Sequence, residues 1–159
     1  MAAELPPPKA IKDLLEGLLG RDVEVGIGDP VANADAAVLA VYVTDALKMS
    51  AVVTVDLPLA AYLGTSIAVI PPGGAEAAIE DGALSPAIFD NVGEVLNVFA
   101  ATLNEYNSDH TRLYGTHHGQ NDSPADALLL SATQGNRLDL TVSIAKYGTG
   151  HLSCILPGV

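Results

Sequence analysis

Residues 85–105, SPAIFDNVGEVLNVFAATLNE, constrain the fold more than any other part of the chain, because they read as one long helix with two different faces. Ser85 can accept a main-chain hydrogen bond as the N-cap, and Pro86 then takes the first helical position, where its missing N–H costs nothing. At about 100° per residue, six apolar side chains share one broad face: Ile88, Val92, Val95, Leu96, Phe99 and Leu103. We expect this face to pack against a sheet.

Three polar side chains, spaced i, i+4 and i+7, fall on the opposite face within a wedge of about 60°: Asp90, Glu94 and Asn97. A polar helix face is most often simply solvated. Here, however, Asn is a poor residue for a helix interior, and a glycine in mid-helix costs up to about 1 kcal/mol relative to Ala. Gly93 and Ala101 also leave room beside the wedge. These features favour a helix that is shaped for docking.

Composition limits both the core and the partners. The chain has 159 residues, which suits one domain. Apolar residues make up 49% of it but aromatic residues only 4%, with no Trp, so the core must be built from Ala, Val, Leu and Ile. The net charge is −12, which argues against nucleic acid and anionic membranes as partners, because phosphate groups would be repelled.

The location of the protein is predicted to be cytoplasmic. Cys154 is the single cysteine, so no internal disulfide can form, and its apolar surroundings predict a buried, inert thiol. The start of the chain, MAAELPPPK, lacks the basic and apolar regions of a secretory signal. No segment approaches the roughly 20 apolar residues that span a bilayer.

The first part of the chain predicts a flexible lead-in over residues 1–8, followed by a single domain over residues 9–159. A packing helix over residues 9–19 should end at Gly20. Alternating or apolar runs then predict three strands, at residues 22–28, 36–44 and 49–56. Together they should form an antiparallel meander. Asp56 is placed to cap the next helix.

The second part of the chain predicts the remaining elements. The Pro-Pro-Gly-Gly run at residues 71–74 should stop the second helix, and a short helical or irregular connection should follow at 75–84. Three strands are expected after the long helix, at residues 111–118, 126–133 and 137–147. A tight turn at residues 134–136 should join the last two. Residues 151–156 should prolong or add to the sheet. The predicted fold is α/β of the α+β type with two layers, a mostly antiparallel sheet of about six strands against two or three helices.

The polar face of the long helix resembles the mark of a known family. Asp90, Glu94 and Asn97 match the pattern D/S-x-x-x-E-x-x-N on an exposed helix, within FDNVGEVLNVFAATLN, and in this the chain is similar to the CheC/CheX/FliY family of chemotaxis phosphatases. The order of elements over about residues 9–156 looks like the single-site CheX branch. One departure is Ala100 followed by Ala101, where the family commonly has a small residue and then Gly.

The resemblance implies a function for the chain and a separate role for each residue of the motif. The chain would hydrolyse the aspartyl phosphate of a CheY-type response regulator, with Asn97 holding a water in line with the phosphorus and Glu94 forming a salt bridge with a lysine of the regulator. Asp90, Gly93 and Ala101 would belong to the partner-binding surface. The regulator would supply Mg²⁺, so no cofactor is expected on this chain. CheX-like proteins pair through sheet edges, which implies a homodimer.

Two other functions fit the same sequence. The chain could be a non-catalytic adaptor or flagellar-switch-like module that binds a receiver domain without hydrolysis. It could also be a structural dimer whose polar helix face is only solvated, in which case Glu94→Lys should leave every interaction unchanged.

A metal site is the other chemistry that the sequence suggests. His110, His117 and His118 lie close to Asp122 in the chain. Neighbouring residues on a strand point to opposite faces, so His117 and His118 are poorly placed to share one ion. Ordinary strand and loop histidines are therefore the favoured interpretation, and no metal is predicted. Gly26 and Gly28 lack the third glycine and the following helix of a dinucleotide loop, and they indicate a turn.

Overall fold

Six antiparallel strands and six helices make up the part of the chain, residues 4–158, that the computed structural model describes. The helices are α1 (Pro8–Leu19), α2 (Leu57–Ser66), α3 (Pro72–Asp81), α4 (Pro86–Glu105), α5 (Gly119–Asp122) and α6 (Ala125–Ser131). The strands are β1 (Val23–Ile27), β2 (Ala36–Thr44), β3 (Met49–Asp56), β4 (Thr111–His118), β5 (Arg137–Ile144) and β6 (Gly148–Ile155). Of the predicted lead-in, residues 1–3 lie outside the described part, Pro6 is buried, and Leu5 packs against the core.

All six strands form one sheet in the order β1-β5-β6-β3-β2-β4. Each neighbouring pair is antiparallel, so the predicted mostly antiparallel sheet of about six strands is confirmed. Residues 151–156 do add to the sheet, because β6 is a central strand between β5 and β3. β1 lies at one edge of the sheet and β4 at the other.

The predicted three-strand meander is wrong in one respect. β2 and β3 pair as a hairpin, but β1 pairs with β5 at the far edge of the sheet. The link between β1 and β2 is longer than the two to five residues of most hairpin loops, so the two strands need not be neighbours. Within this link the Val31 amide donates to Ser153 Oγ on β6 at 2.9 Å, which shows that the link crosses the sheet.

The predicted strand at residues 126–133 is also wrong, since this segment is helix α6. Its run of three leucines is compatible with a buried strand or a buried helix, and periodicity alone cannot separate the two. Ala127 and Leu130, three residues apart, pack against Leu39 and Val52. The turn at residues 134–136 consequently joins a helix to β5, not two strands.

Three helices cover one face of the sheet. α1, α2 and α4 contribute to the main core, where they meet alternate side chains of the strands such as Val38, Ala40 and Tyr42 of β2. The intervening residue Leu39 faces the other side, which α6 partly covers. Cys154 is fully buried, as predicted, and this burial raises the pKa of its thiol to about 12.

Local signals at the helix ends gave correct predictions in two places and a wrong one in a third. Gly20 ends α1 in the left-handed conformation, with φ of 65°. The Asp56 side chain accepts from the Leu59 amide at 3.0 Å and caps α2. Pro72, which was expected to stop a helix, instead begins α3, because proline is equally suited to a first helical turn.

No helix among residues 4–158 is long and apolar enough to cross a bilayer.

Candidate functional site

Helix α4 has the boundaries and the buried face that the sequence predicts. Ser85 Oγ accepts a hydrogen bond from the Ile88 amide at 3.3 Å, and Pro86 is the first helical residue. Five side chains at the centre of the apolar face are completely buried, with exposed fractions of 0–1%: Val92, Val95, Leu96, Phe99 and Leu103. Burial of this face holds the helix on the sheet.

The opposite face of α4 carries the predicted site residues. Asp90, Glu94, Asn97 and Ala101 are all exposed, and Gly93 is half-buried beside them. No other group in the described part of the chain forms a hydrogen bond or an ion pair with the Asp90, Glu94 or Asn97 side chain. The structure therefore brings the three polar side chains together on one surface and leaves them available to a partner.

Edge strand β4 runs along one side of α4 and is fixed to both ends of the helix. Near the start of α4, the Phe89 ring stacks on His118, with centroids 3.5 Å apart and planes at 16°. At the end of α4, Asn104 Oδ1 accepts from the Thr111 amide at 2.7 Å, and Asn104 Nδ2 donates to the Thr111 carbonyl at 2.9 Å. The two elements are thus aligned over the length of the helix.

Helix α2 approaches the first half of α4 very closely. A Cβ atom at Gly64 would lie 2.6 Å from the Ile88 carbonyl oxygen, so only glycine allows this approach. Asn91 Nδ2 donates to the Gly64 carbonyl oxygen at 2.9 Å. The helix that carries the site is therefore held by directional contacts as well as by apolar burial.

A buried tyrosine contacts the middle of α4. The Tyr42 hydroxyl, on β2, donates to the Leu96 carbonyl oxygen at 2.6 Å. Complete burial raises the pKa of Tyr42 well above its usual value, and the nearby Cys154 adds to this, so the hydroxyl stays protonated as a donor. The sequence patterns do not distinguish Tyr42, Asn91 or Asn104 as site residues. Asn91 and Asn104 could have been found, because Asn is unfavourable inside a helix and its presence there suggests that the side chain makes a specific contact.

The histidines are distributed rather than gathered. His110 Nδ1 lies 3.1 Å from Asp45 Oδ1 on the surface, and His117 Nδ1 lies 3.9 Å from Asp122 Oδ2. His118 faces α4, on the other side of the sheet from His117. Within residues 4–158, no three His, Cys, Asp or Glu side chains are grouped so that they could hold a metal ion.

Comparison with known proteins gives structural neighbours only. No protein-family model matches the chain, and no curated protein matches its sequence. Each of the following solved structures aligns with 94% of this chain. The FliM middle domain from H. pylori is 9% identical, with a TM-score of 0.66 over 84% of its own length. FliY from Thermotoga maritima is 13% identical, with a TM-score of 0.62 over 83% of its length.

A third neighbour is a complex with a partner protein. It is the CheX–CheY–BeF3–Mg²⁺ complex from Borrelia burgdorferi, 8% identical to this chain, with a TM-score of 0.51 over 94% of the matched chain. At identities this low the likeness concerns the fold. The chain therefore has the fold that CheX, FliY and FliM middle-domain structures share, as the resemblance of its long helix to the CheC/CheX/FliY family implied.

Proposed function

We propose that this protein is a phosphatase that hydrolyses the aspartyl phosphate of a CheY-type response regulator. The observation that carries the proposal is the exposed face of α4, where the Asp90, Glu94 and Asn97 side chains form no hydrogen bond or ion pair with residues 4–158, on a helix whose other face is buried. Side chains that are exposed and unpaired on a well-fixed helix are suited to completing a site on another protein.

The amide of Asn97 has the chemistry that the reaction needs. Its oxygen can accept a hydrogen bond from a water, while its nitrogen donates to a phosphoryl oxygen. Such a bridge holds the water in line with the phosphorus, and positioning of this kind is a large part of the catalysis of phosphoryl transfer. Mg²⁺ comes from the regulator and neutralises the developing charge, so this chain needs no cofactor.

Glu94 supplies affinity and orientation in this proposal. Its carboxylate lies one turn of helix before Asn97 and pairs with a lysine of the regulator. Asp90, Gly93 and Ala101 complete the contact surface, Asp90 by recognition and the two small residues by allowing close approach. A CheX protein with this fold forms a complex with CheY, which supports the choice of a receiver domain as the partner.

The direct test measures phosphate loss from a purified CheY-type receiver that has been phosphorylated with acetyl phosphate. The full chain should accelerate this loss over the receiver alone, in the presence of Mg²⁺. If the receiver binds but loses phosphate at its own rate, the proposed activity is wrong and the adaptor function is selected. If the receiver neither binds nor reacts, both functions are excluded for that receiver.

The adaptor function has an observation of its own in its favour. The FliM middle domain from H. pylori superposes on this chain with a TM-score of 0.66, and a chain of a FliG–FliM complex from H. pylori superposes with a TM-score of 0.62. A module of this fold that acts by binding another protein is therefore a real second candidate. It shares the exposed α4 surface with the phosphatase proposal but requires no role for the Asn97 amide in moving water.

Replacing Glu94 with Gln should weaken receiver binding by roughly tenfold, because one interfacial ion pair is lost. Added salt screens such a pair, so wild-type affinity should fall between low and physiological ionic strength, and the variant should show a shallower dependence. Isothermal titration at several NaCl concentrations measures both effects. Glu105→Gln removes an exposed charge from the last turn of the same helix and serves as the control. Identical salt dependence in wild type and Glu94→Gln would exclude Glu94 as the anchor.

A homodimer is also part of the proposal. β1 and β4 are the edge strands of the sheet that residues 4–158 form, so each has a partner strand on one side only, and such edges can pair with a second copy. Light scattering at several protein concentrations should give twice the 16.3 kDa mass of the chain. A mass of one chain at all concentrations would contradict the homodimer without affecting the proposed chemistry.

A further inference from the structure

The hydrogen bond between Tyr42 and α4 lies directly beside Asn97. Tyr42 is fully buried in the main core, and its hydroxyl donates to the carbonyl of Leu96, the residue immediately before Asn97. In an α-helix this carbonyl also accepts from the amide four residues later, so the tyrosine adds a second hydrogen bond to a group already satisfied within the helix. Stability of the helix ladder alone does not require this bond.

Apolar burial restricts the rotation of a helix less sharply than a hydrogen bond does, because the hydrophobic effect is not directional. Side-chain atoms lie about 5–6 Å from the axis of an α-helix, so a rotation of about 10° moves them by about 1 Å. A displacement of this size in a catalytic group can reduce the rate by about 100-fold. A group such as Asn97 therefore needs a directional contact close to it.

In the described part of the chain, three side chains form hydrogen bonds between α4 and the elements packed against it, those of Asn91, Tyr42 and Asn104, and the bond of Tyr42 is the nearest to Asn97. Asn91 is six residues before Asn97 and Asn104 is seven residues after it, which places their bonds about 9 Å and about 10 Å away along the axis. The Tyr42 ring also lies against Phe99, with centroids 6.4 Å apart. Tyr42 thus contacts the helix on both sides of Asn97 in the chain.

We propose that Tyr42 is a positioning residue, which fixes the rotation of α4 so that the Asn97 amide meets the phosphoryl group at the correct angle. The inference rests on the proposed phosphatase function, since it assigns to Tyr42 a task in that reaction. Tyr42 touches neither the partner nor the reacting atoms and acts only through the backbone of α4.

The substitution Tyr42→Phe tests this role, and Tyr147→Phe is its matched control. The Tyr147 hydroxyl also donates to a main-chain carbonyl, that of Ile70 at 2.5 Å, but this carbonyl does not belong to α4. Both variants should lose a few degrees of melting temperature. Tyr42→Phe alone should lower kcat for receiver dephosphorylation, by roughly tenfold, with KM changed by less than about twofold. Equal kcat values for the two variants would overturn the inference.

Hydrogen exchange gives a second measurement that does not depend on activity. The amide of Ala100 shares the Leu96 carbonyl with Tyr42, so exchange at residues 97–101 should accelerate in Tyr42→Phe and stay unchanged in Tyr147→Phe. Unchanged exchange in Tyr42→Phe would show that the bond does not hold this part of α4. If wild type fails to accelerate phosphate loss, the proposed function fails, and exchange alone then decides whether Tyr42 fixes the helix.

Discussion

Replacing Asn97 with Ala is expected to lower the rate constant for dephosphorylation of a bound receiver by roughly 100-fold or more. The variant keeps Glu94 and the rest of the α4 surface, so the receiver should bind with nearly wild-type affinity. What is lost is the amide that, in the proposed reaction, holds the water and donates to a phosphoryl oxygen. The loss should therefore appear in kcat and not in KM. Single-turnover measurements with phosphorylated receiver separate the two.

Stability cannot account for such a loss, because Asn97 is exposed and its side chain forms no hydrogen bond or ion pair with residues 4–158. Alanine is also the better helix former, so the variant should be at least as stable as wild type. Asn121→Ala removes another exposed asparagine amide, on α5, and should leave the rate unchanged. Equal rates for wild type and Asn97→Ala would reject Asn97 as the catalytic residue and favour the adaptor function.

The sequence was sufficient to predict α4 because the signals that define it are local. The Ser85 cap, the proline at the next position and the apolar spacing all lie within the segment itself, and the helix ends at Glu105 as expected. The exposed positions of Asp90 and Glu94 followed from the same helical phase. Predictions of this kind need no knowledge of what lies on the other side of the helix.

The errors concern contacts between segments that are distant in the chain. β1 pairs with β5 more than a hundred residues later, and nothing in its own sequence specifies that partner. The prediction for α6 is wrong because its run of leucines fits a buried strand as well as a buried helix. The packing of the segment against one face of the sheet, which the local sequence does not show, decides between the two. Sequence patterns show which residues are buried more readily than they show what buries them.

The same limit applies to the candidate site. The exposed positions of Asp90, Glu94 and Asn97 could be predicted, but the residues that hold α4 in place could not. Tyr42 lies in the apolar run of β2 and reads as an ordinary core residue, and its bond to Leu96 appears only when the two elements are packed together. Positioning residues of this kind contact segments that are distant in the chain, so the structure is needed to find them.

The stability of the site helix should depend strongly on Phe99, and the chain offers its own control. The protein has two phenylalanines, both on α4. Phe99 is 1% exposed and packs in the main core, whereas Phe89 is half-buried and stacks on the exposed His118. The same substitution at the two positions compares a core ring with a surface ring on one helix.

Phe99→Ala should lower the free energy of unfolding by about 3–5 kcal/mol, because it removes a buried ring and leaves a cavity that the neighbours fill only in part. Phe89→Ala should cost about 1–2 kcal/mol, the value of a partly exposed stack. Urea unfolding followed by circular dichroism measures both. Since a domain of this size is stable by only about 5–15 kcal/mol, the first variant approaches the limit of folding. Equal losses would mean that α4 is not held by its buried face, and the exposed site would then lack the support on which the proposed function depends.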